Sequence, residues 1–433
     1  MSLQIFVEQK PIASITTDGS YVLAYEPAWR DDPASFPISL TMPLTTSEHP
    51  AKVVVPWLMN LLPEGEPLRA VTQVLGIARD DVLALVGKLG RETAGAISIG
   101  DERPTETPHY MPIPGPKELE RIINELPARP FLVGDEGVSM SLAGAQDKLP
   151  LGMLDGKLAI PTAGASSTHI LKPDNPRLPG SVQNESLCMV LARLCGLQTA
   201  EVTTGLAGQR TYLLVTRYDR ATEAGRTRRI HQEDLCQALG RPPSAKYQHN
   251  RSGVSGPSLA EMFGLVREHM TARDITRLLD AVIFNIAIDN VDSHAKNYSI
   301  LLQPDRIELA PLYDLMSGLD WTNITQNHAQ DVGGQRRGRH IYGRHWRRMA
   351  QECGLAGPAT VRRVRAMTKR VLDELPNAVA EVAAMQAGGE RLKTLAAAIA
   401  ERAQIVHDHA SIEGPNEPDP PAEPTAAVTQ YDR

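Results

Sequence analysis

The sequence predicts an α+β protein of two or three domains, sheet-forming at its start and largely helical in its last third. Three observations carry this expectation. The chain has 433 residues, about two to three times an ordinary domain length. Its first residues alternate in polarity with a period of two, and its last third repeats apolar residues at helical spacing. Apolar residues make up 42% and charged residues 22% of the chain, near the averages for globular proteins, so neither wholesale disorder nor a fibrous architecture is expected.

Leu3, Ile5 and Val7 alternate with polar neighbours, as do Tyr21, Leu23 and Tyr25 after the turn pair Asp18-Gly19, so the chain begins with sheet. From Trp57 to Leu89 the spacing becomes helical through Leu58, Leu61, Leu62, Leu68, Val71, Val74 and Leu75, with interruptions at Pro63 and Gly76. Residues 1–102 therefore read as a small N-terminal α+β subdomain. Residues 103–116 hold five prolines and few large apolar residues, as a linker would. Short strands over 148–160 and 169–172, a helix over 184–194 and a strand over 212–216 make 117–250 a mixed lobe. From Ser258 helical periodicity dominates, and Val361, Val364, Met367, Val371 and Leu375 form an apolar face expected to end before Pro376. Residues 251–412 are thus expected to be a mainly helical lobe. Residues 413–433 hold five prolines and five acidic residues with almost nothing to bury, and are expected to be disordered. No internal repeat is seen.

A net charge of -6 argues against a protein that coats nucleic acid by general attraction. Cys188, Cys195, Cys236 and Cys353 show neither a Cys-x-x-Cys pair nor His–Cys metal spacing, and read as reduced thiols of a cytoplasmic protein. The start lacks the basic-then-apolar pattern of a secretory signal. The longest apolar run, 53–62, is broken by Pro56 and falls far short of the roughly 20 residues that cross a bilayer, so no membrane association is expected.

The chemistry concentrates between the apolar runs 282–288 and 298–302. Asp292 and Asn297 have the spacing of a kinase catalytic loop, in which an aspartate receives the acceptor proton and an asparagine binds a magnesium ion. Lys296 offers a cation for the moving phosphoryl group, and His294 a group to orient the loop. The same spacing also describes a capped helix end followed by a polar turn. Asp314, after the run Leu309-Ala310-Pro311-Leu312-Tyr313, stands where a second metal ligand belongs, or is a turn or N-cap aspartate; no Asp-Phe-Gly triplet surrounds it. Lys172 ends an apolar strand, as a phosphate-pairing lysine or an exposed edge lysine would. Around Ala143, Gly144, Ala145, Gln146, Asp147 and Lys148 small residues would let backbone amides approach a phosphate, although neither glycine-rich consensus is matched and an ordinary loop has the same composition.

Taken in order, these segments resemble the HipA family of toxin–antitoxin kinases. The resemblance runs through Ser141 to Lys148, Thr168 to Lys172, Asn184-Glu185, Arg217-Tyr218-Asp219-Arg220, His231 to Gln237, Asn290 to Asn297 and Leu309 to Asp314. Earlier segments also match, at Tyr25 to Trp29, Phe36 to Leu40 and Leu61 to Gly65. The resemblance implies a two-lobed kinase-like fold of the phosphatidylinositol-kinase-like branch, with ATP and Mg2+ as cofactors. It implies Asp292 as catalytic base, Asn297 and Asp314 as metal ligands, Lys172 on the ATP phosphates, and main-chain contact with adenine at Thr216, Arg217 and Tyr218. It also implies autophosphorylation of Ser141, with Ser139 as a competing acceptor, and ejection of the loop by the new charge.

As partners, the resemblance implies a HipB-like helix-turn-helix antitoxin, with DNA contact mainly through that antitoxin. The expected substrate is a protein, such as an aminoacyl-tRNA synthetase or another translation factor. The run 335–348, with six arginines and no acid, suits a negatively charged partner or a solvated basic face. A small-molecule or lipid kinase on the same scaffold, and a co-repressor with little kinase activity, are the competing functions; intact Asp292, Asn297, Asp314 and Lys172 disfavour the latter.

Overall fold

The alternating start of the chain forms an antiparallel sheet. In the computed structural model residues 2–17, 20–105, 107–223 and 226–415 are described; the turn pair Asp18-Gly19 and most of the tail expected to be disordered, 416–433, lie outside them. The strands Glu48–Pro50, Tyr21–Tyr25, Lys10–Thr17, Ser2–Val7 and Ile97–Gly100 lie side by side in that order. A register shift between Ile5 and Phe6 alters the inward pattern: Phe6 is buried beside Ile5, and Val7 is only half-buried. A bulge adds one residue to a strand and turns the following side chains over, which alternation alone does not reveal.

The helices Ala51–Met59, Gly65–Leu75 and Val82–Leu89 follow. Their apolar faces share one core with the sheet, through Ile12, Ile15, Leu23, Trp57, Leu58 and Leu83. Gly76 ends the second helix at φ 64°, a left-handed conformation that costs glycine nothing.

A second sheet runs Arg210–Thr216, His169–Pro173, Leu149–Leu154, Lys157–Thr162 and His109–Pro112, with antiparallel pairings throughout. The last of these strands falls inside the segment that composition marks as a linker. Pro112 opposes Ala159 on the outermost strand, where a residue lacking an N–H is tolerated. The amphipathic helix Pro116–Glu125 buries Leu119, Ile122 and Ile123 in a core shared with Leu149, Leu151 and Leu171.

The chain divides into two compact units, Met1–Pro173 with Leu206–Pro243 and Ile300–Ile307, and Asp174–Gly205 with Ser244–Ser299 and Glu308–Arg433. The helix Ser181–Leu194, which the sequence groups with the strands around it, belongs to the second unit and packs against Gly357–Ala383 and Arg391–His409. Leu259–His269 and Ala272–Ala287 in the same unit begin with reciprocal capping boxes, Ser258 with Glu261 and Thr271 with Asp274. Helix Gly357–Ala383 does not stop at Pro376. An interior proline costs about 3 kcal/mol, but Leu375, Ala378 and Val382 continue the buried face of Val364, Met367 and Val371, so packing outweighs the local signal.

The first unit also holds a buried ionic cluster. Glu92 Oε1 lies 3.0 Å from Arg217 and 2.7 Å from Arg220, and its second oxygen pairs with Arg229. The Asp219 carboxylate pairs with both Arg217 and Arg220, at 2.7 and 3.0 Å. Burial alone would raise the Glu92 carboxyl, but Arg220, Arg229 and Arg217 outweigh it and hold the pKa below its ordinary value. Arg217 and Arg220 of the sequence motif are therefore cluster members by their side chains.

Two neighbouring buried groups titrate in opposite senses. Burial pushes Glu233 up to about 8, against hydrogen bonds from Ser39 and the Leu40 amide, and pushes His231 down to about 4. Unfolded glutamate ionises near pH 4.3 and unfolded histidine near 6.5, as approximate reference values. As pH rises through roughly 4.5 to 8, folded Glu233 keeps a proton the unfolded chain has lost, so its contribution to stability declines. As pH falls from roughly 6.5 to 4, unfolded His231 gains a proton the folded chain refuses, so its contribution declines in that direction. Between about 6.5 and 8 only Glu233 changes. The expected result is that the melting temperature of wild type, relative to Glu233→Gln, falls across this window. A constant difference in calorimetric melts would refute it.

Candidate active site

Helix Ala272–Ala287 delivers the chain to a buried polar loop in the second unit. Just beyond the helix, Asp289 takes a left-handed φ of 56°, which a short polar side chain tolerates better than most. Its carboxylate pairs with Arg402 and lies 3.3 Å from His328 Nε2. Burial would raise its pKa; His328 and Arg402 overcome this and lower it. Gly338 permits the arrangement, because a Cβ there would stand 2.7 Å from both Arg402 Nη1 and His328 Nε2.

The next turns are fixed by amides. Asn290 Nδ2 donates to Asn285 Oδ1 at 2.9 Å, and Asn290 Oδ1 accepts from the Asp292 amide at 3.2 Å. Asn297, on the single turn Ala295–Asn297, donates through Nδ2 to the Asp292 carbonyl at 2.8 Å. That bond uses the nitrogen of the Asn297 amide and gives its oxygen no part in holding the loop. Asp292, Ser293, His294, Lys296 and Asn297 are all at most 9% exposed. A fully solvated polar turn after a helix would not be buried in this way.

Asp314 is tied to the same loop. The Tyr313 hydroxyl donates to the Lys296 carbonyl at 2.6 Å and lies 2.7 Å from Ser299 Oγ. Residues adjacent to Asn297 and to Asp314 are thus clamped together. The incoming run is held by paired backbone bonds, Leu312 N to Gln198 O and Ala200 N to Leu312 O, both 2.8 Å. Asp314 lies beyond the strand Ile307–Leu309 and takes a φ of 57°, a conformation that clusters at functional sites in non-glycine residues.

Oxygen donors from one asparagine and one aspartate suit a hard cation such as Mg2+, which is commonly held by one or two carboxylates together with substrate phosphates. Among the described residues no group of three or more His, Cys, Asp or Glu is placed to hold a metal ion.

The first unit carries the remaining candidates. Ser141 is buried, donates through Oγ to the Leu61 carbonyl at 2.6 Å, and donates through its amide to the Glu92 carbonyl at 2.9 Å. Ser139 is half-buried and donates to the Lys88 carbonyl at 2.7 Å. Ala143, Gly144, Ala145, Gln146, Asp147 and Lys148 are half-buried, and Lys148 Nζ bonds the Ala143 carbonyl at 2.6 Å. Gly144 has φ 104°, and a Cβ there would lie 2.7 Å from Lys148 Nζ. Only glycine therefore fits the loop without displacing that lysine. Lys172 is buried on its strand opposite Leu213, and Thr216 opposes His169 on the neighbouring strand. The Arg217 amide already donates to the Thr168 carbonyl at 2.9 Å, which removes it as a main-chain donor to adenine. The Tyr218 hydroxyl bonds Gln232.

The arginine run is not one free basic face. Arg344 donates to the Glu413 and Pro415 carbonyls at 2.6 and 2.9 Å, Arg347 pairs with Glu413, and Arg348 donates to the Gly333 carbonyl at 3.2 Å. All four cysteines are buried, and burial pushes the Cys195 and Cys353 thiols up to about 12.

Sequence reasoning missed Tyr247, whose hydroxyl donates to Asp292 Oδ1, and the Asp289–Arg402 pair. Tyr313 stood next to a candidate ligand and was findable; Tyr247 and Arg402 belong to no spacing that points to the loop.

A mixed α/β chain in two units, with a buried Asp-x4-Asn loop clamped to the tyrosine that precedes Asp314, has the features expected of a kinase-like protein. Residues 140–379 match the family described as HipA-like C-terminal domain, and residues 3–100 the HipA N-terminal domain. The chain belongs to the HipA family of protein kinases. It is 35% identical over 415 residues to "Putative kinase Y4mE" of Sinorhizobium fredii, covering 93% of this chain and 98% of that protein. It is 31% identical over 385 residues to the serine/threonine-protein kinase toxin HipA of Shewanella oneidensis, covering 85% of this chain and 86% of that protein. Its fold matches a solved complex of Shewanella oneidensis HipA, HipB and operator DNA, with a TM-score of 0.84, 25% identity, and coverage of 95% of this chain and 100% of that one.

Proposed function

We propose that the chain is the toxin of a toxin–antitoxin pair and transfers the γ-phosphoryl group of ATP to serine or threonine hydroxyls of a protein. The carrying observation is the buried loop in which Asn297 holds the Asp292 carbonyl while Tyr313 holds that of Lys296. Asp292 accepts the proton of the acceptor hydroxyl, and His294 supports the loop. Lys296 offers positive charge to the moving group. Asn297 Oδ1 and Asp314 would hold Mg2+, which when bound neutralises phosphate charge. Lys172 and the amides of 143–148 bind phosphates, and the main chain of Thr216, Arg217 and Tyr218 meets adenine. The phosphatidylinositol-kinase-like branch is what the family resemblance implies.

The solved complex of the Shewanella relative supports a HipB-like antitoxin as partner, with DNA reached through it. The substrate expected from the family is an aminoacyl-tRNA synthetase or another translation factor. Buried, reduced cysteines support a cytoplasmic setting, and no helix among the described residues is long and apolar enough to cross a membrane. Expression of the chain should arrest growth, with relief by Asp292→Asn or by the antitoxin; equal arrest by the variant would count against this function.

Ser141 is the proposed autophosphorylation site. Its buried hydroxyl has no room for a group of about two negative charges, so the phosphorylated loop must leave its seat on Leu61 and Glu92. After incubation with Mg2+ and ATP, mass spectrometry should find phosphate on Ser141, and residues 138–148 should exchange amide hydrogens faster. Phosphate on Ser139 with unchanged exchange would contradict the assignment.

A further inference from the structure

The first turns of helix Ala272–Ala287 carry Arg273, Thr276, Arg277, Asp280 and Ala281 at i, i+3, i+4, i+7 and i+8, which is one face of the helix. That face walls a cavity of about 240 Å3 in the second unit, together with residues 196–198, 298–299 and 309–312 and Arg363. Exposed Gly196, Gln198 and Arg273 mark its mouth, and buried Leu278, Ala281 and Leu309 its floor.

Cavities that proteins keep empty are apolar. This one holds three guanidinium groups against one carboxylate. Arg363 donates to both oxygens of Asp280, at 2.5 and 2.7 Å, and Arg277 lies 2.8 Å from Asp274 Oδ1. Those two pairs neutralise themselves. Arg273 has no ion pair among the described residues, so its positive charge is left over at the mouth. The volume is below the roughly 300–1,000 Å3 of sites for drug-sized ligands, which excludes a nucleotide and admits a compact molecule.

We propose that this cavity binds a small organic anion, a carboxylate or phosphate on a compact apolar body, and that the bound anion steadies the loop from Asp292 to Asn297. The head group meets Arg273, and the body lies on Leu278 and Leu309. The cavity wall is also what anchors the loop. Ser299 Oγ lies 2.7 Å from the Tyr313 hydroxyl, which donates to the Lys296 carbonyl. The Ala310 amide donates to the Ser299 carbonyl at 2.9 Å, and Arg277 Nη2 to the Ala310 carbonyl at 3.2 Å. Binding and its effect on the loop stand apart from the kinase reading; only a consequence for phosphoryl transfer rests on it.

The full chain is titrated with benzoate, phenyl phosphate and benzyl alcohol, with binding read by ligand-observed NMR in the absence and presence of Mg2+ and ADP. At least one of the two anions should bind with a Kd of about a millimolar or tighter, the alcohol roughly tenfold more weakly, and ADP should displace neither. The tighter of the two anions assigns the head group. Arg273→Ala, at an exposed position outside the loop, should weaken that anion roughly tenfold. Thr276→Phe fills the cavity and gives up only a hydroxyl bond to the Ala272 carbonyl of its own helix, and it should abolish binding. In wild type the anion should slow amide exchange across 295–299 and 309–312 on the order of threefold, with no slowing in Thr276→Phe. The proposal is overturned if neither anion binds, if the alcohol binds as tightly, or if ADP displaces the anion. Unchanged affinity in the two variants, or binding without slower exchange, overturns it equally.

Discussion

Asp292→Asn is expected to lower the rate of phosphoryl transfer by about a thousandfold while leaving nucleotide affinity and the melting temperature near those of wild type. The loop is shaped by main-chain groups of residue 292, whose amide takes the Asn290 oxygen and whose carbonyl takes the Asn297 nitrogen. Asparagine keeps both, and its own oxygen can accept the Tyr247 hydroxyl. The negative charge and the capacity to take a proton are lost. Asn297→Ala is a different change, since it removes a candidate metal ligand and the tie to the Asp292 carbonyl together. It should therefore raise the Mg2+ requirement and loosen the loop. Single-turnover rates with a fluorescent nucleotide titration separate the two variants.

Glu92→Ala should be the most destabilising single substitution in the first unit. It strips Arg217, Arg220 and Arg229 of their common carboxylate, and the side chains of all three are at most 7% exposed. Removing one partner of a buried ion pair typically costs about 3–5 kcal/mol, because the remaining charge stays in a poor solvent. Here Asp219 stays beside two of the guanidinium groups but not as a contact of Arg229. At about 2–4 °C per kcal/mol for a domain of this size, the melting temperature should fall by roughly 10 °C. Glu92→Gln, which keeps an oxygen for Ser167, should fall less. A melt of Glu92→Ala within about 2 °C of wild type would show that the cluster has little net value, as some buried ion pairs do.

Much of this was legible in the sequence, for reasons that can be traced residue by residue. Alternation marked the first strands, and helical spacing marked the last third. The bulge at Ile5 and Phe6 left no such trace, since it alters register without altering composition. Prolines concealed the strand His109–Pro112 because they report on hydrogen bonding, which an outer strand needs on one side only. Pro376 misled in the opposite direction, where the buried face on both sides carries the helix through. At the site, Asp292, Asn297 and Asp314 stood out because a short loop and its following strand fix their spacing. The residues that hold them did not: Arg402 lies 113 positions from Asp289, and Tyr247 lies 45 from Asp292. Such contacts arise from tertiary packing and carry no local pattern. Glu92 is likewise 125 positions from Arg217, so a lone buried glutamate gave no sign of its three partners.

Phosphorylation of protein hydroxyls with Asp292 as base is open to a direct labelling test. Purified wild type and Asp292→Asn are each incubated with γ-labelled ATP, Mg2+ and a whole-cell extract, which is then separated into protein, lipid and small-molecule fractions. Label is expected in protein as phosphoserine or phosphothreonine, present with wild type and absent with the variant. Label that appears only in lipids or small molecules, or that is undiminished with Asp292→Asn, would contradict it.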